Sequence, residues 1–183
     1  MGRVSYVIIH HDAGSSPTSE SAEAARMRSD QSYHQATGYN DIAYAFGIGP
    51  SGRVYEGRGW GVMCGATENW NEKSVPIMFM GNYMNDTPTK KQLEHAGQLI
   101  RRGIENGALS KNPNVIGHRD TKATACPGVR LYTKLKEILS YSKPTPKIYK
   151  LVATKAVEGR EKAKRVLAWL RKRGFTASKK IRK

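Results

Sequence analysis

The stretch Val4-Ser5-Tyr6-Val7-Ile8-Ile9-His10-His11-Asp12-Ala13-Gly14 decides how the chain is read. Its β-branched, apolar centre is too short for a helix and is bounded by a glycine turn, so it reads as the first strand of a fold. Two histidines stand where that strand ends. Working outward, residues 15–20 are turn-like and then offer helix-capping side chains, and residues 19–36 read as a helix that Gly38 breaks. Residues 43–48 and 53–55 read as two short strands across a Pro50-Ser51-Gly52 turn. Residues 74–80 form a mostly apolar run, consistent with a buried central strand. Pro76 within it cannot donate to a ladder and implies a bulge or an unpaired position.

Further along, residues 89–106 place Leu93, Ala96, Leu99, Ile100 and Ile104 on one helical face. Residues 114–117 read as a short strand leading into His118, and 131–140 as a closing helix. Strands alternating with helices predict an α/β domain, with a mixed central sheet flanked by helices, over residues 1–140. The Pro-containing stretch 141–147 reads as a linker. Beyond it, strand, helix and strand are expected near 148–153, 158–173 and 175–181. Residues 148–183 would thus form a small βαβ-like appendage, too small for a core of its own.

Charge divides the chain the same way. Residues 141–183 carry 15 Lys and Arg against 2 Glu, whereas residues 1–140 carry 16 against 13 Asp and Glu. So basic a tail calls for a polyanionic partner: an anionic wall polymer, a membrane surface or nucleic acid. No RNA- or DNA-binding motif accompanies it, so nucleic acid is not the expected partner. No apolar run approaches the ~18 residues of a membrane span. The N-terminus shows no basic, apolar, small-residue signal pattern, so no export route is expected unless a leader has already been removed. Two cysteines, Cys64 and Cys126, do not make a disulfide scaffold, and metal binding or catalysis is the better expectation for at least one.

A metal set is available. His10 and His118 each end a strand, and Cys126 follows in a loop held by Pro127-Gly128. Two imidazoles and a thiolate suit Zn(II) and leave a fourth tetrahedral position for water. The metal would lower the pKa of that water towards ~7 and polarise a carbonyl. Scattered His and Cys are common, so spacing alone carries little.

The surrounding words carry more. Val7-Ile8-Ile9-His10-His11, Gly38-Tyr39-Asn40-Asp41-Ile42-Ala43-Tyr44-Ala45-Phe46, Gly52-Arg53-Val54-Tyr55-Glu56-Gly57-Arg58-Gly59-Trp60 and Gly117-His118-Arg119-Asp120 with Thr124-Ala125-Cys126-Pro127-Gly128 occur in that order. Over residues 3–140 this resembles the zinc amidases that include peptidoglycan recognition proteins and phage lysozymes of the amidase type. The resemblance implies zinc on His10, His118 and Cys126. It also implies a catalytic Tyr44 that stabilises an oxyanion or orients water, and a Thr124 that contacts substrate or intermediate. Alternation along the strand turns His11 away from the metal, into a packed or capping role.

Trp60, Arg58 and Asn82 are expected to line or buttress the substrate groove, and His34 either to face it or to be a solvated or capping histidine. His95, on a Lys/Gln-rich helix, is expected in solvent. One departure stands out: the position at which many relatives carry a histidine reads as Ala66, with Cys64 nearby as a partial substitute or a small buried thiol. Gly61-Val62 matches neither usual specificity pair, so the wall chemotype stays open. In the basic tail the Gly159-Arg160-Glu161-Lys162-Ala163, Leu170 and Gly174-Phe175 pattern resembles half of a SPOR-type peptidoglycan-binding domain.

The resemblance implies a peptidoglycan hydrolase cutting the bond between N-acetylmuramic acid and L-alanine. With a basic tail and no signal pattern, the expectation is a phage endolysin held in the host cytoplasm until released to the wall. The alternative is a recognition protein that binds peptidoglycan without cutting it. Three intact candidate ligands argue for the first, and Ala66 leans towards the second.

Overall fold

The computed structural model describes residues 2–143 and Ala168. The chain separates into two units, Met1–Lys143 and Pro144–Lys183, and the architecture below is that of the first. The elements expected within 148–183, and the SPOR-like pattern, lie outside the described residues.

Five strands make one sheet, ordered β3-β2-β4-β1-β5. β1 (Val4–His11) lies between β4 (Ser74–Phe79) and β5 (Leu109–Gly117) and is parallel to both. β2 (Phe46–Ile48) runs parallel to β4 and forms a hairpin with β3 (Val54–Glu56). Val7 to His11 are all buried. A parallel strand covered on both faces needs such an unbroken apolar run, and this one ends in two histidines because the site begins there.

Alternation sorts the side chains into two layers. Val7 and Ile9, with Ile77, Phe79, Phe46 and Ile48, pack against Leu93, Ala96 and Ile100 of α2 (Lys90–Glu105) and Ile138 of α4 (Leu135–Ser142). The other face carries Met78 and Met80, packed with Ile42 and with Met27 of α1 (Glu20–Ala36). The start of α2 is fixed by a capping box between Thr89 and Gln92. Gln92 also donates to the carbonyl of Ile48 and to the Tyr83 hydroxyl, tying helix to sheet.

α1 buries only Glu23 and Met27 and comes very close to β2. A Cβ at Gly47 would overlap Met27, and one at Gly49 would overlap the Glu23 carboxyl. That carboxyl, 1% exposed, accepts from Ser51 N and Oγ at 2.7 Å and from Tyr55 OH at 3.1 Å. The buried acid is thereby satisfied.

Several elements differ from their sequence-based expectation; β2, for one, begins at Phe46 and not at Ala43. β5 begins at Leu109, not near 114. Lys111-Asn112-Pro113 reads as a loop, but this is an edge strand, where proline and polar residues are tolerated. The helix expected over 131–140 is two: α3 (Val129–Tyr132) and α4, parted at Thr133-Lys134. Thr133 donates its hydroxyl to the Arg130 carbonyl, a local bond that competes with helix propagation. α4 then runs through Tyr141 and Ser142, into the stretch read as linker. Pro76 needs no bulge. Its carbonyl accepts from Ala45, one residue before β2 begins, so the missing N–H points to the end of the β2–β4 ladder.

Candidate functional site

Parallel β1 and β5 deliver their C-terminal ends to the same edge of the sheet. Ile9 is registered against Gly117, which sets His10 beside His118, the first residue of a 3₁₀ turn (His118–Asp120). The two imidazole centroids are 4.4 Å apart. Cys126 returns on a loop held by Arg119, whose backbone N–H donates to the Cys126 carbonyl and whose guanidinium donates to Ala125. Gly128 (φ +88°) closes that loop against Tyr83; a Cβ there would overlap the Tyr83 backbone.

The nitrogen and sulfur donors of His10, His118 and Cys126 lie within 4.8 Å of one another. His10 Nδ1 and Cys126 Sγ are 3.7 Å apart. Zn–S near 2.3 Å and Zn–N near 2.0–2.1 Å, at a tetrahedral angle, would put two ligands about 3.6 Å apart. His118 Nε2 is buried without a hydrogen-bond partner, an orphan that a metal would satisfy. Burial holds His10 well below the ordinary imidazole range and lowers His118, so both are neutral donors at pH 7. Burial also pushes the Cys126 thiol up to about 11 in the metal-free protein, although the His11 amide donates to its sulfur at 3.4 Å. The donor set fits zinc, and loading it would expel the thiol proton.

A line of aromatic rings leads away from these donors. Tyr44 lies 5.3 Å from His10 and 5.6 Å from His34, centroid to centroid, and His34 lies 5.5 Å from Tyr39 and 5.8 Å from the exposed Tyr33. Tyr44 is not in a strand; it sits in the irregular stretch entering β2. Burial holds its phenol well above the ordinary range, so at neutral pH it carries its proton.

Thr124 braces the cysteine loop, its hydroxyl oxygen accepting from Cys126 N at 3.2 Å. Arg58 directs its guanidinium to the carbonyls of Asp41, Ile42 and Met63, which fixes the stretch that carries Tyr44.

One candidate substrate contact is placed elsewhere. Trp60 stacks on Phe46 at 4.7 Å and over Gly103 of α2, in the layer opposite His10. Asn82 closes a turn after β4, its side-chain oxygen accepting from Met84 N. Glycine-flanked tryptophan and asparagine mark packing and turns as readily as grooves.

His11 faces the α2 layer, with Nδ1 accepting from Tyr83 N at 3.2 Å. Cys64 is buried, and its thiol donates to the Val62 carbonyl. His95 is not in solvent: Nδ1 lies 2.6 Å from the Gly52 carbonyl, joining α2 to the hairpin turn.

Two residues at the site carry no sequence signal of their own. Thr67, next to Ala66, is 2% exposed and puts Oγ1 3.1 Å from His10 Nε2. Asp30 shares one stripe of α1 with Met27 and His34, and its Oδ2 is buried without a partner. Burial, with Asp12 adding to it, pushes this carboxyl up to about 6. The spacing of 27, 30 and 34 was the available clue to Asp30.

Residues 1–129 match the family model described as N-acetylmuramoyl-L-alanine amidase. Peptidoglycan-recognition protein SC2 of Drosophila simulans is 38% identical over 134 residues, covering 73% of each chain. Peptidoglycan recognition protein 1 of Mus musculus is 44% identical over 131 residues, covering 70% of this chain and 72% of its own. Among solved structures, peptidoglycan recognition protein-LE in complex with tracheal cytotoxin superposes with a TM-score of 0.72. It is 36% identical, over 75% of this chain and 81% of that one. With 129 residues matched by the family model and relatives alike over more than two thirds of each chain, the chain belongs to the N-acetylmuramoyl-L-alanine amidase family that includes the peptidoglycan recognition proteins.

Proposed function

We propose that the protein is a zinc-dependent amidase that hydrolyses the bond between the lactyl carboxyl of N-acetylmuramic acid and the L-alanine of the stem peptide. The observation that carries this reading is the convergence of His10, His118 and Cys126 at zinc-compatible spacing, with the Tyr44 ring beside them. Zinc held by His10, His118 and Cys126 would supply Lewis acidity to polarise the scissile carbonyl and acidify a water. The chain's own groups do the rest. Neutral His10 and His118 present lone pairs without a competing proton. Tyr44, a protonated phenol, donates to the carbonyl oxygen as negative charge develops there. Thr124 accepts from the Cys126 amide and keeps its own proton for a substrate acceptor. Water's hydroxyl ends on the lactyl carbon and its proton on the alanine nitrogen, leaving a free carboxylate and a free amino terminus.

The substrate class is supported by a relative solved with a monomeric diaminopimelic acid-type peptidoglycan. A second reading, binding without cleavage, is favoured by the recognition-protein names of the relatives. For the basic region after Lys143 we propose an anionic wall polymer or membrane surface as partner, in an endolysin-type arrangement, on charge alone. Among the described residues no helix is long and apolar enough to cross a membrane.

Digestion of purified peptidoglycan, followed by mass spectrometry of the released products, separates the readings. Stem peptides with a new L-alanine amino terminus, lost on chelation and restored by zinc, are expected. Peptidoglycan bound but uncut by the zinc-loaded protein, across several wall types, would establish the recognition reading instead.

A further inference from the structure

We infer that Thr67 is the positioning residue of the metal centre: it holds His10 by Nε2 so that Nδ1 presents its lone pair to the zinc. The inference rests on the zinc reading above and concerns a residue outside the expected ligand and catalytic set.

The geometry is specific. The His10 ring is 1% exposed and has two nitrogens with two different neighbours. Nδ1 faces Cys126 Sγ at 3.7 Å, while Nε2 meets Thr67 Oγ1 at 3.1 Å in a buried contact. A buried neutral imidazole carries one proton. With that proton on Nε2, donated to Thr67, Nδ1 is free for metal. With it on Nδ1, the ring would aim a proton into the donor cluster. A partner that holds Nε2–H therefore selects the ligating tautomer and fixes the ring plane, as outer partners of metal-bound histidines do.

Thr67 is itself held. Its backbone N–H donates to Asn71 Oδ1 at 2.9 Å, and its carbonyl accepts from Trp70 N at 3.0 Å. The Trp70 ring stands edge-on to Tyr6 of β1 at 5.0 Å, and the Trp70 carbonyl accepts from Ser74 Oγ at the start of β4. The turn presenting Thr67 is thus anchored on the two central strands, including the one that carries His10. Ala66, which the family resemblance marks as a replaced histidine, is only half-buried; its neighbour Thr67 is the buried one.

The test is zinc affinity, measured on the full chain by competition with a chromophoric chelator, with folding checked by circular dichroism. Thr67→Val keeps the shape and removes the hydroxyl, and should weaken zinc binding about 10–100-fold. Thr67→Ser keeps the hydroxyl and should stay within about threefold of the unsubstituted protein. A folded valine variant with unchanged affinity would overturn the assignment. Should that variant not fold, long-range ¹H–¹⁵N spectra of the zinc-loaded unsubstituted protein decide. A proton on His10 Nε2 with metal on Nδ1 is expected, and the reverse overturns the inference. If the unsubstituted protein takes up no stoichiometric zinc, the metal reading itself fails and this inference with it. That result is distinguishable from a variant that merely matches its parent.

Discussion

Tyr44 and Asp30 are ionisable side chains that burial moves in the same direction, and the consequences differ. For Tyr44 the raised phenol pKa guarantees a donor at neutral pH. Tyr44→Phe removes that donor and leaves the three ligands intact. Turnover on a soluble muropeptide should fall about 10²–10³-fold, with zinc per chain unchanged by elemental analysis; loss of zinc would contradict the assigned role. For Asp30 the effect is on stability. Its carboxyl is raised to about 6, so between about pH 4 and pH 6 the folded chain holds a proton that the unfolded chain has released. Stability from this group is present at low pH and is lost as pH rises through that window. Asp30→Asn should therefore stabilise the metal-free protein at pH 7 and make little difference at pH 4. Each pKa unit is worth about 1.4 kcal/mol, and partial exposure discounts the total to about 1–2 kcal/mol. Urea unfolding of both proteins at the two pH values measures it.

At the level of elements, the close contact of α1 with β2 places the helix that carries Asp30 and His34 beside the sheet. The helix lies close because Gly47 and Gly49 have no Cβ to oppose Met27 and Glu23. Gly49→Ala should push against a carboxyl held by Ser51 and Tyr55 and cost about 1–3 kcal/mol, as overpacking does; denaturant midpoints at constant slope would show it. The run 4–11 was legible as a strand because burial on both faces makes its centre, Val7 to Ile9, continuously apolar. β5 was legible only in its last residues, since an edge strand accepts Lys111, Asn112 and Pro113. The α3–α4 break was not legible, because a threonine side chain bonding its local backbone leaves the apolar spacing untouched.

Over the whole molecule, charge and chemistry are divided along the chain. The described unit ends with α4, and the basic residues concentrate beyond it. Truncation after Lys143 should reduce salt-sensitive adsorption to cell walls in a pelleting assay while turnover of a soluble muropeptide stays within a few-fold. A collapse of soluble turnover would show that the basic region belongs to the catalytic fold. By itself the sequence determined the class of fold, the order of its elements and the residue types able to hold a metal. Hydrophobic periodicity and side-chain chemistry are local and survive in one dimension. Only the tertiary structure decided which candidates meet. The Ile9–Gly117 register set His10 beside His118, and the packing of the 67–70 turn aimed Thr67 at His10. Trp60 went to packing in the opposite layer, because layer and orientation are set by contacts between residues far apart in the chain.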